Sequence, residues 1–228
     1  MGKFISLTAA DGQVLAAWLS EPAGQPKASI VVLQEIFGVN SHIRDVTDRW
    51  AALGYRAIAP ALFDRIEPHF DVGYEADDRQ RAMAMIGKLD MDKALLDIAA
   101  AIAYAPKLGK TGVIGFCLGG LLSWLAACRL TCDAAIAYYP GRIGQFKDEQ
   151  PQCPVMMNFG LKDSHIPQDQ VESVKAAHPE IPIHLYDADH GFSCDQRESY
   201  DAPSAALAWQ RSVDFFAACL AGSALRAR

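Results

Sequence analysis

From residue 29 onward, short and nearly continuous apolar runs alternate with longer segments in which apolar residues recur at helical spacing. The runs cover residues 29–33, 56–60, 111–116, 134–139, 155–159 and 183–186. Each is too short for a buried helix and lacks the alternation of a half-exposed strand, so the pattern predicts strands covered on both faces, as in a parallel sheet. The helical segments cover 42–53, 75–86, 91–104, 119–128, 168–177 and 205–219. Strand and helix in turn give βαβ units with right-handed crossovers, and hence an α/β fold with a mostly parallel, doubly wound sheet and helices on both faces. Ahead of these units, FISLTA and VLAAWLS flank Asp11-Gly12, a dipeptide suited to a tight hairpin at a sheet edge. The charged, Pro-containing stretch 63–73 reads either as a solvated connection or as the rim of a pocket.

Length and composition narrow the picture. At 228 residues and 51% hydrophobic content, the chain can bury one large core, so residues 1–228 are expected to form a single domain. The formal net charge is -6, with acidic and basic residues intermixed, which disfavours nucleic acid as a partner. No apolar stretch approaches the roughly 20 residues that cross a bilayer, and the start MGKFISLTAADGQ lacks the apolar centre of a signal peptide. A cytoplasmic protein without a membrane partner is expected, with a monomer as the default. Six cysteines (Cys117, Cys128, Cys132, Cys153, Cys194 and Cys219) are read as free thiols in a chain with no secretory signal. They form no CxxC pair and no zinc-type His-Cys spacing, so neither a metal nor another cofactor is expected.

The chemistry concentrates in GVIGFCLGG, residues 112–120, where an apolar strand passes through Gly-x-Cys-x-Gly into a helix. This is the form of a nucleophile elbow, a strained turn that lifts its central side chain, here Cys117, above the sheet. The segment lacks the Gly-Lys-Ser/Thr ending of a phosphate loop and follows a mid-chain strand instead of the first parallel one. A thiol attacks as thiolate, so a base must reach it and a third group must orient that base. Asp163 in NFGLKDSHIP and His190 in YDADHGF each follow a predicted strand, in the chain order nucleophile, acid, histidine of α/β-hydrolases. Asp169 competes with Asp163, and His165 with His190, but His165 lies too close to Asp163 to come from a separate strand end. In VVLQEIFGVN, Glu35 ends an apolar strand, a costly place for a carboxylate unless it is paired or functional. That loop stands where such hydrolases donate a second oxyanion N–H. Tyr138 and Tyr139, before Pro140-Gly141, are candidates for lining a pocket.

Taken together, QEIFGVN, GFCLGG, the Asp163 loop and DHGF resemble the dienelactone hydrolase family, the carboxymethylenebutenolidases, over essentially the whole chain. The resemblance implies an α/β-hydrolase with a Cys117, His190 and Asp163 triad that opens a small-molecule lactone or ester. It further implies that Glu35 takes the thiol proton when substrate arrives, and that the N–H groups of Ile36 and Leu118 form the oxyanion hole. Arg81, in DDRQRAMAM, corresponds to a family arginine that binds the substrate carboxylate, and with Tyr139 it completes the expected substrate-binding set. Two departures stand out: Met85 replaces a family tyrosine, and Arg197 lies farther past the histidine than the family's second arginine. Two other readings remain open, a carboxylesterase or thioesterase on the same fold and a non-catalytic ligand-binding protein with a redox-sensitive thiol.

Overall fold

The computed structural model describes residues 2–104 and 109–221. Eight strands, β1 (Lys3–Thr8), β2 (Val14–Ser20), β3 (Ser29–Leu33), β4 (Arg56–Pro60), β5 (Thr111–Phe116), β6 (Ala134–Tyr138), β7 (Val155–Gly160) and β8 (Ile183–Tyr186), form one sheet in the order β1-β2-β4-β3-β5-β6-β7-β8. The opening hairpin is antiparallel and β2 joins β4 antiparallel, whereas every pairing from β4 across to β8 is parallel. All residues of β3, β5, β6 and β7 are buried, which explains why these strands read as unbroken apolar runs. At the sheet edge β8 is only partly covered.

The connecting helices are α1 (Ser41–Ala52), α2 (Ala76–Ile86), α3 (Met91–Tyr104), α4 (Leu118–Arg129), α5 (Gln168–Ala177) and α6 (Ala202–Leu220). On one face α1 and α6 meet through Trp50, whose ring centroid lies 4.6 Å from that of Trp209 and 5.4 Å from that of Phe216. On the other face α3 packs beside α4. Strand β5 shows the two-sided covering directly, because a side chain at Gly112 would meet Phe216 of α6, whereas one at Gly115 would meet the start of α4. No helix among the described residues is long and apolar enough to cross a membrane.

Among the element ends that differ from the sequence reading, two have a direct structural cause. Helix α6 starts at Ala202, where Asp201 caps it by accepting a hydrogen bond of 2.9 Å from the Ser204 N–H and a proline occupies the first turn. That cap precedes the apolar periodicity that placed the start at residue 205. Strand β6 stops one residue early because Tyr139 turns to a φ of 33°.

The stretch 63–73 is a packed connection, and none of its residues lines the cavity that holds Cys117. Phe63, Phe70 and Val72 are buried, Asp71 bridges to Gly38, and the Val72 N–H donates to the Phe37 carbonyl at 3.1 Å. It thereby braces the loop that follows β3. Arg65 anchors the stretch by donating two bonds of 2.8 Å to the buried Asp97 of α3, and it also pairs with Asp11 of the hairpin turn. Arg65→Ala leaves the Asp97 carboxylate buried without its partner and is expected to cost about 3–5 kcal/mol. Urea unfolding measures this cost, and a loss below about 1 kcal/mol would show that the stretch is held by its apolar contacts alone.

Candidate active site

Strand β5 passes into α4 through one residue. Cys117 has φ 54° and ψ -113°, a conformation that costs an L residue about 1–3 kcal/mol. Its N–H donates to the Tyr138 carbonyl at 3.0 Å, and its own carbonyl accepts from Leu121 at 3.1 Å. The turn also needs close packing. A Cβ at Gly115 would collide with the Gly119 carbonyl, and a Cβ at Gly119 with the carbonyls of Leu33 and Gln34. Glycine at both places therefore lets α4 press on β5 and β3 together.

Register then places the neighbouring loop. Leu33 pairs with Gly115, so two residues further along Glu35 and Cys117 leave adjacent strands side by side. Leu118 is the first residue of α4, and its N–H has no acceptor within the helix. The Ile36 N–H donates to no carbonyl among the described residues. Ile36, Leu118 and Cys117 line one cavity, together with His190.

Strands β7 and β8 deliver an ordered pair to the same edge of the sheet. The His190 Nδ1–H donates to Asp163 Oδ2 at 2.7 Å, with both side chains buried. The other carboxylate oxygen, Asp163 Oδ1, accepts from the N–H groups of His165 at 2.8 Å and Ile166 at 3.2 Å, which fixes the carboxylate. Burial alone would pull the His190 imidazole below its ordinary value. The nearby Cys117 sulfur, as an anion, and then the Asp163 hydrogen bond outweigh burial and push it up to about 10.

Glu35 lies beneath the cavity. Its Oε1 accepts from Arg197 Nη1 at 3.0 Å, and its buried Oε2 has no hydrogen-bond partner. The Arg197 guanidinium lies against two adjoining aromatic rings, 5.7 Å from the Phe37 centroid and 5.8 Å from that of Tyr74. Glu35, His42 and Cys194 also bring potential metal-ligand atoms within 4.8 Å of one another. Arg197 already supplies positive charge to this carboxylate, which disfavours a cation there.

A model of the dienelactone hydrolase family matches residues 15–220. A provisionally named carboxymethylenebutenolidase of Synechocystis sp. is 37% identical over 89% of this chain and 91% of its own. The carboxymethylenebutenolidase of Pseudomonas putida is 33% identical over 93% and 95% respectively. The chain belongs to the dienelactone hydrolase family. It is accordingly a hydrolase acting on carboxylic ester or lactone bonds. A crystal structure of a provisionally named dienelactone hydrolase from Klebsiella pneumoniae superimposes with a TM-score of 0.83 at 30% identity, covering 95% of this chain and 98% of that one. The eight-stranded sheet is thus an α/β-hydrolase fold.

Within this dienelactone hydrolase fold, Cys117, His190, Asp163, Glu35, Ile36 and Leu118 converge, but the two expected substrate-binding residues do not join them. Arg81 is exposed, 3.4 Å from Glu67, and is absent from the cavity wall. Arg79, Met83 and Ile86 form the wall instead, spaced as one helical face, and Arg81 stands about 200° around the helix from Arg79. Tyr139 is fully buried; its hydroxyl bonds Ser193 at 2.7 Å and its ring backs His190 at 5.0 Å between centroids, so it supports the imidazole from behind. Tyr138 is likewise buried, bonded to Ser212 at 2.7 Å. The competitor His165 lies on the rim, 70% exposed, with its ring 4.9 Å from that of His190. Sequence reasoning missed Arg79 and Arg142 in the wall and assigned no role to Arg197. Helical spacing back from Ile86 and Met83 was the available signal for Arg79.

Because His190 is raised in the folded state, its contribution to stability is fully present below about pH 6.5 and is lost as pH rises through about 10. Asp163→Asn removes an orienting charge and is expected to shift this titration downward. NMR of the His190 ring measures both proteins, and a native ring titrating near 6.5 would contradict the arrangement.

Proposed function

We propose that this hydrolase opens a lactone or ester that carries a carboxylate, with Cys117 as nucleophile, His190 as proton carrier and Asp163 as its orienting group. One observation carries the choice of substrate: among the described residues the cavity wall holds Arg79, Arg142 and Arg197 and no acidic side chain, in a chain of net charge -6. The cavity, about 450 Å³, suits a small molecule, and Met83, Ile86, Met91 and Leu121 offer it an apolar side. The name carboxymethylenebutenolidase, borne by the Pseudomonas relative, supports a lactone.

In this reading the Cys117 thiolate adds to the carbonyl carbon while the N–H groups of Ile36 and Leu118 receive the oxyanion. The imidazolium of His190 protonates the departing ring oxygen, leaving a thioester on Cys117. Acylation neutralises the sulfur and so removes the strongest influence holding His190 protonated. Burial then favours the neutral ring, which takes a proton from the water that resolves the thioester. A substrate carboxylate competes with Glu35 for Arg197, freeing Glu35 to take the proton of any Cys117 that has returned to the thiol form. A neutral ester or thioester could use the same groups but would gain nothing from the arginines.

A lactone with a carboxylate is therefore expected to exceed its neutral isostere in kcat/KM by about 10–100-fold. Arg79→Met combined with Arg142→Met, both exposed, should remove much of that ratio through KM while sparing the neutral substrate. Steady-state kinetics with the matched pair decide, and equal rates for the two substrates would favour the plain esterase.

A further inference from the structure

Far from the cavity, two cysteines separated by 21 residues in sequence stand with sulfurs 3.6 Å apart. Cys132 lies in the loop between α4 and β6, Cys153 just before β7, and both are half-buried. Backbone bonds hold the two segments on either side of the pair. The Gln152 N–H donates to the Ala127 carbonyl at 2.8 Å, the Asp133 N–H to the Thr111 carbonyl at 2.8 Å, and the Ala135 N–H to the Pro154 carbonyl at 2.9 Å. Gln152 Nε2 adds a bond of 2.6 Å to the Cys128 carbonyl. A disulfide needs its sulfurs about 2.05 Å apart, so the remaining gap is of the size that side-chain rotation closes.

We propose that Cys132 and Cys153 form an oxidation site, a dithiol that a low-molecular-weight disulfide such as glutathione disulfide converts to an intramolecular bridge. The environment distinguishes the partners. Either sulfur can donate in their shared hydrogen bond; with Cys132 donating, Cys153 lies below an ordinary thiol, while the same bond and burial raise Cys132. Burial pushes Cys128 and Cys194 up to about 12 and also raises Cys219. Cys153 is therefore the attacking group. Its thiolate bonds one sulfur of glutathione disulfide, and the other glutathione leaves as thiolate and is protonated by water. Cys132 then loses its proton to water and attacks the Cys153 sulfur, releasing the second glutathione. Two protein thiols lose two electrons in all, and one glutathione disulfide becomes two glutathione molecules.

The bridge encloses β6, Tyr139 behind the imidazole, and Gly141 and Arg142 of the cavity wall. Oxidation thus ties down both ends of a segment that shapes the pocket, independently of which substrate enters. The test uses the full-length chain with Cys117→Ser, which removes the competing thiol, equilibrated in glutathione buffers, alkylated and digested without reduction. Mass spectrometry should find a peptide joining Cys132 to Cys153, two hydrogens lighter than its reduced parts. The melting temperature should rise by roughly 6–12 °C, reverse with dithiothreitol, and stay unchanged by oxidant in both Cys132→Ser and Cys153→Ser. Thiols that remain alkylatable, a mixed disulfide that persists, or a bridge to another cysteine would each overturn the proposal.

Discussion

Where β5 meets α4, two stretches of backbone lie closer than any side chain permits. Gly119 faces the Leu33 and Gln34 carbonyls, and Gly115 faces the Gly119 carbonyl. That approach has two consequences. It holds Cys117 in a left-handed conformation that an isolated chain would leave, and it sets the end of β3 beside the sulfur. Strain at one residue is tolerable because the surrounding sheet and helix determine its position from several sides. The loop after β3 is in turn braced by the stretch 63–73, so packing remote from the sulfur bears on where Ile36 and Glu35 stand.

The electrostatics follow from burial. A carboxylate as deep as Glu35 is costly without a partner, and Arg197 supplies one. Desolvation opposes the charge on Arg197, but Glu35 and the other groups around it restore that charge. The same guanidinium borders the cavity, so any anion that enters shares it with Glu35. On the proposed reading this sharing couples substrate binding to thiol activation without a large movement of the chain.

Much of this was legible in the sequence, for identifiable reasons. Buried parallel strands need apolar residues on both faces, so β3, β5, β6 and β7 announce themselves as unbroken runs. Gly-x-Cys-x-Gly carries its own steric logic, and Asp163 and His190 each follow a strand in the expected order. What escaped depends on orientation or on long-range meetings. Arg81 was chosen by likeness to a family segment, whereas the helix turns Arg79 inward and Arg81 outward. Tyr139 sits at the right strand end, but its positive φ carries the ring behind His190 instead of into the cavity. The Arg197 to Glu35 pair spans 162 residues, and no local pattern marks it. Charged residues in 63–73 masked Phe63, Phe70 and Val72, the positions that pack.

The central claim is that the Cys117 sulfur carries the acyl group during turnover. Rapid quenching during hydrolysis of a slow, carboxylate-bearing lactone, followed by intact-mass and peptide analysis, tests this most directly. The account predicts an adduct equal to the whole lactone mass on the peptide containing Cys117, rising within the first turnover, decaying as product forms, and absent in Cys117→Ala. Turnover with no adduct at times shorter than one catalytic cycle, or an adduct on a different residue, would contradict it.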